Sequence, residues 1–349
     1  MEIRSYFPSL PTLQNRKSML NDELFLTISV EGFKNTNWST IPDSMLIYLF
    51  LHDEPTIGKR RSSKTKKEYL RDLTQFLRFI NEEIRSIVPE DALAYQIWLR
   101  RQKYEASTLR RKSTVTKQFL QYLYKNGVLS FDASIKMKRV AQPLDKQVNR
   151  DLYEYEVEQL LEYFKDNDWF AYTLLLLLTS TGLRIEELAS ARWANLFIFR
   201  TNKGQHHFLK VIGKGNKPRD VRIYEDVLPV IIEFRQRRGL PTELNPGDST
   251  AFFAKPNCGH YSSNYLSTEF AKLIERSGFP FVIHRTDRIT PHTCRHYTAA
   301  YLSSKGADIR AIQDALGHAS IVTTERYLWR HRKLENHAST HIGLNFINS

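Results

Sequence analysis

Four short clusters in the second half of the chain gather side chains that bind or attack phosphate. In Thr181-Gly182-Leu183-Arg184-Ile185-Glu186-Glu187-Leu188 the glycine ends one helix. Arg184 falls in the first turn of the next, able to point back at the break, and Glu187, three residues on, is placed to hold it. Gly213-Lys214-Gly215-Asn216-Lys217 is a tight glycine turn that can push Lys214 off a sheet towards a ligand. It lacks the phosphate-loop spacing GxxxxGK followed by Ser or Thr, so nucleotide binding finds no support. Thr290-Pro291-His292-Thr293-Cys294-Arg295-His296 has the proline of a helix's first position, and His292 and Arg295, at i and i+3, share a face. Leu316-Gly317-His318 ends a helix and leaves His318 in a turn, with Tyr327 nine residues later on a final short helix. Taken singly, each cluster has a plain structural reading: a surface arginine, a hairpin turn, a satisfied histidine, a packing tyrosine. Cys258, His260, His292 and Cys294 suggest zinc by type, but neither pair has finger-like or HExxH spacing, so no metal is expected.

The elements that must position these groups read as mainly α with one small antiparallel β-meander. The 349 residues favour two domains, and 41% hydrophobic with 26% charged residues excludes wholesale disorder. No apolar run is long enough to cross a bilayer, no secretory signal opens the chain, and two cysteines make no disulfide framework. A reduced, cytoplasmic setting is expected.

The net charge of +13 is concentrated. Residues 59–150 hold 22 Lys/Arg against 9 Asp/Glu, an excess of 22 − 9 = +13, and the rest of the chain balances at 29 of each. Such confinement reads as a footprint for a polyanion, nucleic acid before membrane. This region is helical by period: Tyr69, Leu73, Phe76, Leu77 and Ile80 on one helix, Leu93, Ile97 and Trp98 on a second opened by Pro89. A third, capped by Ser107 or Thr108, carries Val115, Phe119, Tyr122 and Leu123, and one near Ser44–Leu51 completes a four-helix domain. Lys64, Lys66, Lys67, Arg110, Arg111, Lys112 and Lys117 are the candidate DNA contacts.

The expected layout is a leader at 1–40, a helical domain at 41–142, a linker at 143–150 and a second domain at 151–349. In the second, a Leu-rich helix from Trp169 precedes strands at 196–199, 208–212 and 220–223. Helices then resume near 226–238, 264–276, 291–304, 308–316 and 320–329.

In their order along the chain, Arg184, Lys214, His292, Arg295, His318 and Tyr327 resemble the active-site set of the tyrosine recombinases, the phage-integrase and Xer family. TGLRIEEL resembles the first arginine box, VIGKGNKPRDV the β-hairpin lysine, PHTCRH the His-x-x-Arg box, and DIRAIQDALGHASIVTTERY the second histidine and the nucleophile. The resemblance spans about Asp151 to Arg330 and extends more loosely to TKKEYLRDLTQFLRFI, as in an N-terminal core-binding domain. It departs at Leu328-Trp329, where many relatives carry polar residues, and after Gly127, where the common Asn-Pro is missing.

The resemblance implies an α+β fold, with a helical DNA core-binding domain joined to a catalytic domain, the two clamping a duplex. Tyr327 would attack the scissile phosphate to give a 3′-phosphotyrosyl bond, so no cofactor and no metal are implied. Arg184 and Arg295 would clamp the phosphate, Lys214 would be the general acid, His292 the base and His318 a hydrogen-bond donor. Double-stranded recombination sites and a synaptic tetramer are the implied partners, with the tail after Arg330 docking on a neighbour. The long leader points to integration or transposition of a mobile element rather than chromosome-dimer resolution. A type IB topoisomerase-like strand transferase and a catalytically silent DNA-binding protein are the competing readings.

Overall fold

The computed structural model describes residues 18–20, 38, 41–53, 61–140, 152–202, 204–213, 216–318, 320–321 and 324–325. Lys214, Tyr327, the expected linker, most of the expected helix at 320–329 and the tail lie outside the described residues. The chain divides into two compact units, Met1–Lys146 and Gln147–Ser349.

Four helices build the first unit: α1 (Asp43–His52), α2 (Ser63–Ile80), α3 (Pro89–Arg101) and α4 (Ala106–Lys125). Ser62 starts α2 by accepting from the Thr65 N–H at 3.2 Å, satisfying a donor that no intrahelical partner can reach. Helix α4 starts earlier than either capping candidate, with Glu105 at its N-cap and no side-chain cap bond. Helix α1 is buried all round from Met45 to His52 and fills the centre, its Phe50 ring edge-on to Phe119 and Tyr122 at 5.3 and 5.5 Å. Part of the expected leader packs here too. Met19 is fully buried, its carbonyl lies 3.1 Å from a His52 ring nitrogen, and Arg85 donates to the carbonyls of Trp38 and Ile41.

Two of the candidate DNA contacts are buried rather than exposed. Lys66 is only 3% exposed, with Nζ 3.0 Å from His52 Nδ1. Lys112 is 6% exposed and donates to Asp72 Oδ1 at 2.9 Å and Gln75 Oε1 at 2.5 Å, while Arg111 also donates to Asp72. The reason is spacing. Lys66 stands i−4 from Leu70 and i−7 from Leu73, and Lys112 stands i−3 from Val115 and i−7 from Phe119, so both lie on the apolar stripe. Lys64 and Lys67 are exposed, and Arg110 and Lys117 are partly so.

The second unit opens with α5 (Glu154–Asn167) and α6 (Trp169–Thr181). Asp168 caps α6 by accepting from the Ala171 N–H at 3.0 Å. Helix α6 is apolar all round, with Leu174, Leu175, Leu177 and Leu178 buried and Leu176 half-buried opposite them, and α5 and α11 (Pro291–Ser304) pack on it. A helix apolar all round must be enclosed, and its end is therefore a fixed point of the core. After the short α7 (Ile185–Ser190) come β1 (Leu196–Thr201), β2 (Gly204–Ile212) and β3 (Pro218–Ile223), an antiparallel meander in the order β1-β2-β3. Leu209 pairs with Val221 and Ile212 with Pro218. Helices α8 (Leu228–Gln236), α9 (Ser263–Arg276), α10 (Pro280–Ile283) and α12 (Ile309–Leu316) complete the unit. Among the described residues no helix is long and apolar enough to cross a membrane.

Candidate active site

The site begins where α6 stops. Gly182 sits at φ +59°, which an L side chain rarely adopts, and a β-carbon there would stand 2.5 Å from Leu316 Cδ2, so glycine eases the close approach of the two segments. Arg184 is the N-cap of α7 rather than part of its first turn. Glu187 holds it twice: Oε2 accepts from the Arg184 backbone N–H at 2.8 Å and Oε1 from Nη1 at 2.7 Å. Burial works to raise the Glu187 carboxyl, but the hydrogen bonds and charge of Arg219 and then Arg184 outweigh it and hold the group below the ordinary carboxylate range.

Arg295, 2% exposed, projects from α11 towards the same place. Its Nη1 donates to the Gly182 carbonyl at 2.6 Å and its Nη2 to the Leu316 carbonyl. Arg184 Nη2 donates to the next carbonyl, Gly317, at 2.9 Å. Two guanidinium groups thus hang from consecutive peptide oxygens of the turn that ends α12. Gly317, at φ +63°, makes that turn, and His318 follows it, buried, with Nδ1 2.9 Å from Thr324 Oγ1. Burial first, then the charges of Arg295, Arg184 and Arg219 and the nearby His292, push the His318 imidazole down to about 3, so it is neutral at physiological pH. His292 lies one turn before Arg295 on α11 and is exposed, its ring edge-on to His296 at 4.7 Å.

The sheet reaches this cluster through the neck of the β2–β3 hairpin. Gly213 N–H donates to the Lys217 carbonyl at 2.8 Å, and a β-carbon on Gly213 would stand 3.3 Å from Glu187 Oε1 and 3.7 Å from Arg184 Nη1. The structure therefore brings together Arg184, Arg295 and His318, with His292 beside them. Lys214 and Tyr327 cannot be placed among the described residues. Of the other tyrosines in this unit, Tyr297 and Tyr301 stack on each other at 5.7 Å, and burial raises the Tyr297 phenol above its ordinary range. A group the sequence reading missed is Arg219, whose side chain is 9% exposed and donates to Glu187 Oε2 at 2.7 Å and to the Ala315 carbonyl. Its signal was available: on β3 it alternates in phase with the buried Val221 and Ile223, so it faces inward.

In the first unit a cleft of about 660 Å³ opens between α2, α3 and α4, lined among others by Arg71, Gln75, Arg78, Trp98 and Arg111. A second, of about 260 Å³, is lined by Arg110, Thr114, Lys117, Gln118, Gln121 and Lys138. Gln96 closes the second by pairing with both backbone groups of Lys138, at 2.7 and 2.9 Å. The first cleft sets its cations beside Trp98 and Gln75, and the second sets Arg110, Lys117 and Lys138 beside Gln118 and Gln121.

Comparisons with known proteins show the family and the fold. The family model described as "Phage integrase family" matches residues 150–333, and the one described as "Phage integrase, N-terminal SAM-like domain" matches residues 56–127. Tyrosine recombinase XerD of Pasteurella multocida is 30% identical over 297 residues, which cover 82% of this chain and 93% of that protein. Tyrosine recombinase XerC of Mesorhizobium japonicum is 29% identical over 284 residues, covering 77% and 86%. Among solved structures, the XerH site-specific recombinase bound to palindromic difH substrate in a post-cleavage complex aligns with a TM-score of 0.63 at 19% identity, covering 86% of this chain and 90% of that one. A lambda integrase(75–356) dimer bound to a COC′ core site gives 0.59 at 15% identity, covering 79% and 92%, and both likenesses speak for the fold. With one family model covering more than half of its length and a relative 30% identical across most of it, the chain belongs to the phage integrase family and is a tyrosine recombinase, an enzyme of site-specific DNA recombination.

Proposed function

We propose that residues 151–349 cleave and rejoin one strand of a duplex at a time through Tyr327, while residues 41–142 grip the same DNA. The observation that carries the reading is the pair of guanidinium groups on the consecutive carbonyls of Leu316 and Gly317. A phosphodiester resists attack because its own charge repels the nucleophile, and two fixed cations remove that barrier by stabilising the charge that builds on the non-bridging oxygens. Tyr327 Oη forms a bond to phosphorus as the bond from phosphorus to the 5′-oxygen breaks. The tyrosine proton goes to His292, and Lys214 supplies a proton to the departing 5′-oxygen. With the Thr324 hydroxyl donating to Nδ1, a neutral His318 carries its proton on Nε2 and donates it to the phosphate. The phosphotyrosyl ester keeps the energy of the broken bond, and attack by a 5′-hydroxyl reverses the step.

In the first unit the exposed or partly exposed Lys64, Lys67, Arg110 and Lys117, with Arg71 and Arg78 of the larger cleft, hold phosphates. Two sites have four strands to exchange, so the working assembly is four protomers on double-stranded DNA, in the cytoplasm where that DNA lies.

A nicked substrate tests this. Host DNA fragments incubated with the chain, in chelator, should yield a covalent adduct whose peptide contains Tyr327, and the flanking sequence identifies the site. Tyr327→Phe should bind that site as the parent does and give no adduct. An adduct from the Phe variant, or one mapping to Tyr224, Tyr297 or Tyr301, overturns the assignment. Relaxation of supercoils without exchange between two sites supports the topoisomerase-like reading instead. Adducts at the ends of a mobile element support integration or transposition, whereas a single chromosomal site supports dimer resolution.

A further inference from the structure

Arg219 is outside the set to which the reaction has been assigned, yet it joins three parts of the site. Its Nη2 donates to Glu187 Oε2 at 2.7 Å, with Nε 3.5 Å from Oε1. Its Nη1 donates to the carbonyl of Ala315, in the last turn of α12. Its side chain also runs under Gly317, where a β-carbon would stand 2.5 Å from Cδ and 3.0 Å from Nε. The glycine of the Leu-Gly-His turn is therefore needed twice, once for its positive φ and once for the room that Arg219 occupies. Glu187, held by Arg219, in turn holds Arg184 through both its backbone N–H and its Nη1. One buried guanidinium thus links the strand that leaves the hairpin, the carboxylate behind Arg184, and the turn whose carbonyls Arg184 and Arg295 share.

We infer that Arg219 is a positioning residue: it touches no reacting atom, and it sets the plane of the Arg184 guanidinium by holding Glu187 and the end of α12 at a fixed distance from β3. This rests on the phosphate-binding role proposed for Arg184. An arginine is required for the geometry, because two N–H groups of a rigid fork must reach a carboxylate and a carbonyl on different elements at once. A lysine reaches one of them. A purely structural ion pair predicts something different: its loss would lower every activity of the unit alike.

The charge on the substrate separates these cases. Two nicked duplexes of the sequence recovered with the parent adduct are made, one with an ordinary phosphodiester at the scissile position and one with a neutral methylphosphonate. The methylphosphonate has lost one anionic oxygen and needs less neutralisation by arginine. On the phosphodiester, full-length Arg219→Ala should form adduct about 10²-fold more slowly than the parent, the scale of a misplaced group, with site affinity unchanged. Arg219→Lys should recover part of that loss. On the methylphosphonate, the deficit of both variants relative to the parent should shrink to less than about tenfold, because less depends on where Arg184 points.

Equal deficits on the two substrates overturn the inference and leave Arg219 a structural residue. Should the alanine variant fail to fold, the ratio for the lysine variant decides alone. Arg184→Ala is run alongside: if it cleaves the phosphodiester as the parent does, the underlying reading of Arg184 fails, and that outcome is distinct from a failure at Arg219.

Discussion

Replacing Gly317 with alanine should damage this protein in two separable ways. At φ +63° an L side chain costs about 1–3 kcal/mol in backbone strain, so the melting temperature should fall. The new β-carbon would also meet Arg219 Cδ at 2.5 Å and push the guanidinium off Glu187. Adduct formation on a nicked duplex should therefore drop further than the loss of stability explains, measured at a temperature where the variant remains folded. Gly213→Ala is the control at the other side of Glu187, where the contact of 3.3 Å calls for a shift of only a few tenths of an ångström and φ is not positive.

His318 makes a prediction about pH. Its folded value is depressed to about 3 against an ordinary 6.5, so between those limits the unfolded chain takes up a proton that the folded chain refuses. Stability is thus fully present above pH 6.5 and is lost as pH falls towards 3. His318→Gln should flatten the slope of stability against pH between about 5 and 6.5, above the range where the carboxylates titrate, as followed by denaturant unfolding. A parent and variant with the same slope there would show that the ring is not shielded in this way.

At the scale of elements, helices α2 and α4 divide their basic residues between a buried set and an exposed set that the sequence presents as one. The three- and four-residue steps of Leu73, Phe76, Val115 and Phe119 were legible as buried faces, and the structure places them there. Lys66 and Lys112 share those steps, but their type placed them outside. Residue type and helical phase conflicted, and phase won because the buried Asp72 and His52 and the half-buried Gln75 supply partners that make the charges tolerable. Lys112→Ala leaves Asp72, fully buried, with one partner fewer. It should cost stability on the scale of a broken buried pair, about 3–5 kcal/mol, with little change in the salt dependence of DNA binding. The double variant Arg110→Ala with Lys117→Ala should do the reverse. It should melt like the parent while its plot of log affinity against log salt flattens by about 0.9 for each phosphate that is no longer neutralised. The sheet carried an equally readable signal that went unused, since strict alternation on β3 puts Arg219 on the face of Val221 and Ile223.

Over the whole molecule, the family could be read from the order of six side chains, whereas the arrangement that holds them could not. Arg184 and Arg295 are oriented by the carbonyls of Gly182, Leu316 and Gly317, and a carbonyl is the same in every residue, so no letter of the sequence announces it. What the sequence does show is the pair of glycines at 182 and 317, whose positive φ values allow those carbonyls to face the arginines. The architecture has a consequence for the making of the protein. Arg184 and the Gly317 oxygen that fixes it are separated by 133 residues, and Tyr327 emerges later still. At about 5–20 residues per second, a nascent chain spends on the order of ten seconds with its basic helices complete and its phosphate clamp unformed. On the roles proposed above, a chain released in that interval would cling to DNA without cutting it. Because the nucleophile proposed at Tyr327 follows both arginines and the turn that orients them, a chain interrupted before it would lack the means to cleave.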